Sequence, residues 1–477
     1  MSITIGSSDF IAILPEIVLT VFGLYLMLHS VFLPRRSGLV IPYLGLVGII
    51  VAIIANFALI GESYVAFSGM VTVDRMTIVL NFLFLVTAGL SLLLSISYSS
   101  QVDVEFIEFT PLILFATIGM MLMGAAESLM IIFLGLETMS IALYILAGFR
   151  RTNRYSLEAA LKYFLLGAFA TGFLLYGIAL LYGVVGSTNL TKILEYFSAN
   201  SLDANLLSLM GLGLLIVGFG FKVALVPFHM WTPDVYEGAP MPVTAYMSVG
   251  AKAAGFAAIL RVFSLSAFSV SFEWTQVLWI LAVFTMTVGN ILALVQDNIK
   301  RMLAYSSIAH AGYILIGVVA SNELTVPYVL FYLIAYLFMN LGAFAVATIV
   351  SGKNENRQKI KYFSGLGYTQ PVLALVLAVT MFSMAGFPPT AGFMAKFYLF
   401  SAALKSGYLW LVIIGVINSL ISVYYYIGIV VIMYMKDPVD EKRIDRIVPG
   451  VGLVILIAIL GIFYLGIFPS GMLGVLR

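Results

Sequence analysis

Glu137, Lys162, Lys222, Lys252 and Lys396 fall inside stretches otherwise apolar enough to be immersed in lipid. An ionised side chain near the centre of a bilayer costs at least about 2.5 to 3.5 kcal/mol, so such groups face a protein interior or a wet cavity and mark ion routes. A carboxyl and a set of amines at that depth suit proton transfer. Low dielectric favours the neutral form of either group and a nearby opposite charge favours the charged form, which brings the two states close in energy. Lysine fits such a relay and arginine does not, because a guanidinium effectively never releases its proton. Glu137 lies about ten residues from either end of its segment, near mid-membrane at the helical rise per residue, and Lys252 is similarly central. Lys162, only a few residues into its segment, also reads as a snorkelling or structural lysine.

His310, beside Ser306 and Ser307, reads equally as a relay residue, because its charge changes near neutrality, or as a hydrogen-bonded packing histidine. His229 follows a proline and could bond backbone carbonyls. Arg261 is placed near a helix end, where it can snorkel, and is set aside. Glu127 is expected to be a solvated loop acid. Tyr424, Tyr425 and Tyr426 are expected to form an interfacial or helix-packing cluster rather than a site.

The elements that must position these groups follow from composition. The chain of 477 residues is 62% hydrophobic and 10% charged, against roughly 25% charged in a soluble domain. Its apolar runs of about 20 residues, separated by short polar breaks, are long enough to cross the ~30 Å hydrocarbon layer as helices. Fourteen such segments are expected, at about 11–32, 40–61, 76–97, 109–126, 128–148, 157–184, 206–226, 242–266, 274–295, 302–320, 326–350, 372–402, 408–435 and 449–468. Strand-type alternation is absent, so the expected fold is an all-α polytopic membrane protein and not a β-barrel. The amino terminus lacks the basic region and cleavage site of a signal peptide, so the first apolar run is expected to remain a helix.

Two segments carry interruptions. Pro227 follows Lys222, and Pro388 and Pro389 precede Lys396. Proline removes a backbone donor and clashes with the preceding turn, so both helices must kink or unwind there. Inside a membrane that is tolerated only where the backbone is buried in protein or lines a wet cavity. Four intact segments separate the two breaks, which predicts two inverted five-helix repeats, the arrangement of many transporters. The expected organisation is three N-terminal helices in 1–108, a first repeat in 109–270, a second in 271–436 and a last helix in 437–477.

Basic residues fix an expected orientation. Fifteen Lys and Arg fall in odd-numbered loops, Lys300 and Arg301 among them, and four in the even loops and tail. The positive-inside rule then puts the odd loops in the cytoplasm and both termini outside, in a bacterial inner membrane. The chain has no cysteine, three scattered histidines, and neither phosphate-loop nor dinucleotide-binding glycine patterns. These features exclude thiolate metal sites and iron–sulfur clusters, and give ATP, NADH and redox metals no site in this chain. A net charge of +2 gives no nucleic-acid footprint.

The stretch VPFHMWTPDVYEGAPMP at 226–242 resembles the family of antiporter-like membrane subunits of respiratory complex I. So do FLGLETMSIALYILAG at 133–148, AALKYFLLGAF at 159–169 and AGFPPTAGFMAKF at 385–397, and the similarity covers essentially the whole chain. WTPDVYEGAP, the lysine in segment eight and the lack of a long carboxy-terminal lateral helix look most like the N-type branch, equivalent to mitochondrial subunit 2. The resemblance implies a hydrated axis through the membrane arm. It pairs Glu137 with Lys222 in a first half-channel, makes Lys252 the central relay and Lys396 the gate of the second half, and puts Lys162 near the connection. It places His310 less firmly. It further implies partner subunits that carry NADH, FMN, iron–sulfur clusters and quinone, including further antiporter-like subunits. The alternatives are a subunit of a multisubunit cation/proton antiporter, which VYEGAP disfavours, and one of a membrane-bound hydrogenase or ferredoxin-driven complex.

Overall fold

The computed structural model describes residues 6–32, 40–102, 107–200, 206–264, 272–352, 355–439 and 448–476. The chain is a bundle of helices. Eleven of the described helices are long and apolar enough to cross a membrane, and three shorter apolar ones, Leu14–His29, Phe109–Ala125 and Pro371–Ala385, fall on the first, fourth and twelfth expected segments. One small antiparallel hairpin, Tyr64–Ala66 with Val71–Val73, interrupts the helical pattern. It was not anticipated, because three-residue strands are too short to show an alternating pattern.

Lipid rewards apolar surface as readily as a core does, so burial here is decided by small and polar residues rather than by hydrophobicity. Met241–Phe263 is buried along its whole length, and Ile299–Ala320 and Thr325–Ser351 nearly so. The first of these carries Gly250, Ala251, Ala253, Ala254, Gly255, Ala257 and Ala258, which let neighbouring backbones approach closely. Widened π-helical turns at Met247–Ala251 and Leu260–Ser264 flank its α-helical middle, which begins at Lys252. Such turns recur at functional positions in helices. Thr325–Ser351 presents Tyr328, Tyr332, Tyr336 and Asn340 at four-residue intervals, a polar stripe down one side. Arg154–Val185, Leu409–Met435 and Pro449–Ile467 form the periphery, with most of their surface outward.

Both proline breaks are present. Helix Leu206–Val223 ends before Pro227 and resumes as Trp231–Gly238; helix Pro371–Ala385 ends at Gly386 and resumes as Ala391–Lys405. The prolines themselves lie on the exposed side of the chain. A proline has no N–H to satisfy, so only the backbone polar groups beside it need internal partners. Those groups are satisfied. Trp231 donates its indole N–H to the Phe221 carbonyl at 2.9 Å, Val226 N–H bonds Thr285 Oγ1 at 3.0 Å, and Gly392 N–H bonds Ser383 Oγ at 3.1 Å. Gly386, at φ +94°, makes the turn that ends the first half of the second broken helix.

Arg261 does not snorkel. It is buried, donates to both oxygens of Asp74 at 2.7 and 2.9 Å, and reaches the Gly124 carbonyl and Thr77 hydroxyl at 2.9 and 2.8 Å. It ties the third and fourth segments to the eighth. Burial pushes the Asp74 carboxyl up, but the Arg261 guanidinium and Thr77 more than offset this and hold it below its ordinary value of 3.8. With the folded value depressed, the stability from this pair is present above the unfolded carboxylate range and is lost only as pH falls through the folded value.

Arg261→Ala should therefore destabilise the protein by about 3 kcal/mol, the low end of the range for breaking a buried pair because Asp74 keeps partial solvent access. Thermal unfolding of the assembled protein at pH 7 measures it, and the deficit should persist down to about pH 4 and shrink at lower pH. Trp231→Phe keeps a ring stacked on Tyr163 (centroids 4.5 Å apart) but leaves the Phe221 carbonyl with only the turn bond from Ala224 N–H at 3.2 Å. It should cost about 0.5–1.5 kcal/mol and speed amide exchange around residues 221–226.

Candidate functional site at the buried lysines

Lys222 occupies the last turn before the first break. Its ammonium donates to Ser140 Oγ at 2.6 Å and lies 5.5 and 5.6 Å from the ring centres of Tyr144 and Tyr163. Ring faces attract a cation, an effect that grows to about 2 kcal/mol when water is excluded. Ser140 Oγ–H in turn donates a hydrogen bond to the Leu136 carbonyl. Glu137 lies three residues before Ser140 on the same helix. It sits on a half-buried side of that helix, with Oε1 buried and unbonded among the described residues.

Lys252 starts the helical stretch after the first widened turn and donates to both the carbonyl and the hydroxyl of Ser307. Gly255, one turn on, brings this helix against the first break: a Cβ there would lie 2.6 Å from Val223 and 3.5 Å from the Lys222 Cβ. From Ser307 the next turn of the same helix carries His310. Its Nδ1 meets the Tyr332 hydroxyl at 2.6 Å and its Nε2 the Tyr426 hydroxyl at 3.1 Å. A hydroxyl can donate or accept, so either ring tautomer is satisfied. Tyr426 continues to Ser306. Ser307, which Lys252 contacts, lies one turn before His310, and the Tyr313 ring, which Lys396 faces, packs against His310, so the imidazole lies between the two lysines.

Lys396 donates to the Met384 and Ala385 carbonyls at 3.0 and 2.9 Å and to Ser419 Oγ at 2.9 Å. Its ammonium sits 4.9 Å from the Tyr313 ring centre, and that ring in turn packs edge-on to His310. These carbonyls end helix Pro371–Ala385, so the cation rests on the negative end of a helix dipole. Lys222 precedes its break in sequence and Lys396 follows its own. In space both ammonium-bearing residues sit at the carboxy-terminal end of the half-helix that leads into the break.

Lys222, Lys252 and Lys396 are each buried, and among the described residues none is within salt-bridge distance of a carboxylate. Lys162 is different. Its side chain is 40% exposed and pairs with Glu158 at 2.7 Å and Asp234 at 2.6 Å. Of the two readings of Lys162 these pairs fit the structural one: its place near the start of the helix lets it reach acids beside the break. Asp234 also meets Arg301 at 2.8 Å, and Arg301 meets Glu237 at 2.8 Å. Partial burial raises the Asp234 carboxyl, but Lys162 and Arg301 together hold it below its ordinary value.

Sequence reasoning missed a second group of charges. Lys300, taken as a loop residue, is fully buried in the first turn of its helix, bonded to Glu355 at 3.1 Å and the Ala239 carbonyl at 2.6 Å. Glu355 also accepts from Met241 N–H at 2.8 Å. Its partners are distant in sequence, so no local spacing announces the cluster. Tyr426 was missed as well. The tyrosine triplet, read as one cluster, is divided by helical geometry, with Tyr424 outward and Tyr425 and Tyr426 buried. The four-residue tyrosine stripe at 328, 332 and 336 was the legible signal for this polar centre. His229 keeps Nδ1 buried and without a hydrogen-bond partner among the described residues. Glu127 is only partly buried and accepts from Thr191 at 3.0 Å, while Glu16, not singled out by the sequence, is buried in the first helix.

The family described as NADH:quinone oxidoreductase/Mrp antiporter, TM matches residues 126–422. NADH-quinone oxidoreductase subunit N of Trichlorobacter lovleyi is 51% identical over 96% of this chain and 94% of its own length. NADH-quinone oxidoreductase subunit N 1 of Solibacter usitatus is 41% identical over 98% and 96%. A chain of respiratory complex I from Thermus thermophilus superposes with a TM-score of 0.83 at 35% identity, covering 96% of this chain and 98% of that one. A chain of the Mrp complex from Dietzia sp. shares the fold, with a TM-score of 0.84 at 19% identity over 98% and 96%. This chain belongs to the family of NADH:quinone oxidoreductase and Mrp antiporter transmembrane subunits, with its N-type relatives matching over nearly their full length.

Proposed function

We propose that this chain is a proton-translocating membrane-arm subunit of an NADH-quinone oxidoreductase, and that it moves protons along Glu137, Lys222, Lys252, His310 and Lys396. NADH oxidation and quinone reduction take place on partner subunits. The observation that carries the relay is the contrast between two kinds of buried cation. Arg261 and Lys300 have carboxylate partners within ion-pair distance. Lys222, Lys252 and Lys396 have hydroxyls, carbonyls and ring faces instead. A buried ammonium without a counter-ion is costly to keep charged, so releasing and regaining a proton is within its reach. Ser307, His310, Tyr426 and Tyr313 supply polar steps between Lys252 and Lys396. Among the described residues no direct hydrogen bond joins Lys222 to Lys252, and water is the carrier in this reading.

In the same reading the three shorter apolar helices complete fourteen crossings, with both termini outside. The breaks at Pro227 and at Pro388 and Pro389 belong to inverted five-helix units in 109–270 and 271–436, flanked by 1–108 and 437–477. Lys162, held by Asp234, sets the electrostatics beside the first break rather than carrying protons itself. The cation/proton antiporter alternative shares the fold, while the high-identity relatives favour the oxidoreductase.

In the assembled complex, Lys222→Ala and Glu137→Ala should lower proton pumping per quinone reduced while leaving assembly largely intact; full pumping by both variants would refute the pair. Lys252→Arg should lose most pumping although it keeps the charge, because the guanidinium holds its proton. Pumping by that variant at the parent level would show that Lys252 need not deprotonate. Vesicles containing this chain without redox partners should show no sodium efflux, and such a flux would favour the antiporter.

A further inference from the structure

Away from the lysine axis, a cavity of about 860 Å³ opens between helix Phe272–Leu294, helix Leu409–Met435 and the turn Ile360–Phe363. Its inner wall is apolar and includes Val423, Ile427 and Val431. Its mouth carries Lys359, Lys361 and Lys436, all exposed, facing a single carboxylate, Asp297. Lys359 approaches that carboxylate at 3.6 Å, with both side chains more than half exposed. Lys361 lies 5.3 Å from the ring centre of Tyr362. The mouth therefore carries three ammonium groups against one carboxylate, an excess of positive charge.

The depth of the cavity matches one bilayer leaflet. Its wall on the second helix runs from Val423 to Lys436, about 20 Å at the helical rise per residue, against roughly 15 Å for half the hydrocarbon layer. The lysines stand at the end where both helices stop, which is headgroup level. We infer that this cavity binds an anionic phospholipid of the surrounding bilayer, with an acyl chain along Val423, Ile427 and Val431 and its phosphate at Lys359, Lys361 and Lys436. Basic pockets between transmembrane helices take such headgroups, and ammonium groups bind phosphate as point charges from flexible stems. A neutral lipid satisfies the wall but leaves the three ammonium groups uncompensated.

The test uses the complete complex in phosphatidylcholine nanodiscs containing a trace of photoreactive phosphatidylglycerol or, separately, photoreactive phosphatidylcholine. The anionic probe should label the 423–436 segment, and unlabelled phosphatidylglycerol should compete it away where phosphatidylcholine does not. Labelling should fall about fivefold for each lysine replaced by glutamine and persist in the Lys359→Arg/Lys361→Arg/Lys436→Arg variant. If the triple glutamine variant fails to assemble, Lys361→Gln and the competition with the parent complex decide the question. Equal labelling by both probes, or undiminished labelling in the glutamine variants, overturns the proposal. So does absence of labelling because a neighbouring subunit covers the cavity.

Discussion

An ammonium group removed from water must be compensated by something, and in this protein the compensation differs from one buried cation to the next. At Lys222 it is a serine hydroxyl and two aromatic faces; at Lys252, the hydroxyl and carbonyl of one serine; at Lys396, the exposed carbonyls of an interrupted helix. In the proposed relay, dipoles of this kind leave the charge able to come and go. The remaining architecture serves that need. The helix breaks provide the carbonyls and the room, Gly255 brings the eighth segment up to the first break, and the tyrosines at 332 and 426 fix His310 without dictating its tautomer.

The paired charges have a different task. Arg261 joins helices that lie far apart in the chain, and Lys300 with Glu355 anchors the start of the tenth segment to the loop before the twelfth. Removing one member of such a pair strands the other in low dielectric, so these pairs resist change and stiffen the frame around the lysines. Lys162, Asp234, Arg301 and Glu237 form a partly exposed chain of charge beside the first break.

Much of this was legible in the sequence because membrane physics leaves few options. Runs of apolar residues had to be helices, prolines had to interrupt them, and lysines in their midst had to find protein. Arg261 was misread because its position near a helix end suggested an escape to the interface, whereas its partner Asp74 lies 187 residues away. Lys300 was read as a loop charge for the same reason, since Glu355 is 55 residues distant. The widened turns around Lys252 leave no residue signature, because a π-helical turn depends on packing as much as on type. Tyr426 was hidden in a triplet whose members point in different directions, although the regular tyrosine spacing in the eleventh segment already pointed to a polar centre.

The account rests on contact through water between groups that do not touch. The most direct measurement is a density map of the assembled complex in a lipid environment, at a resolution where individual water molecules are seen. The account predicts ordered water linking Lys222 to Lys252, and continuing past His310 to Lys396. Dry, side-chain-filled packing between those ammonium groups, with no water joining them, would contradict it.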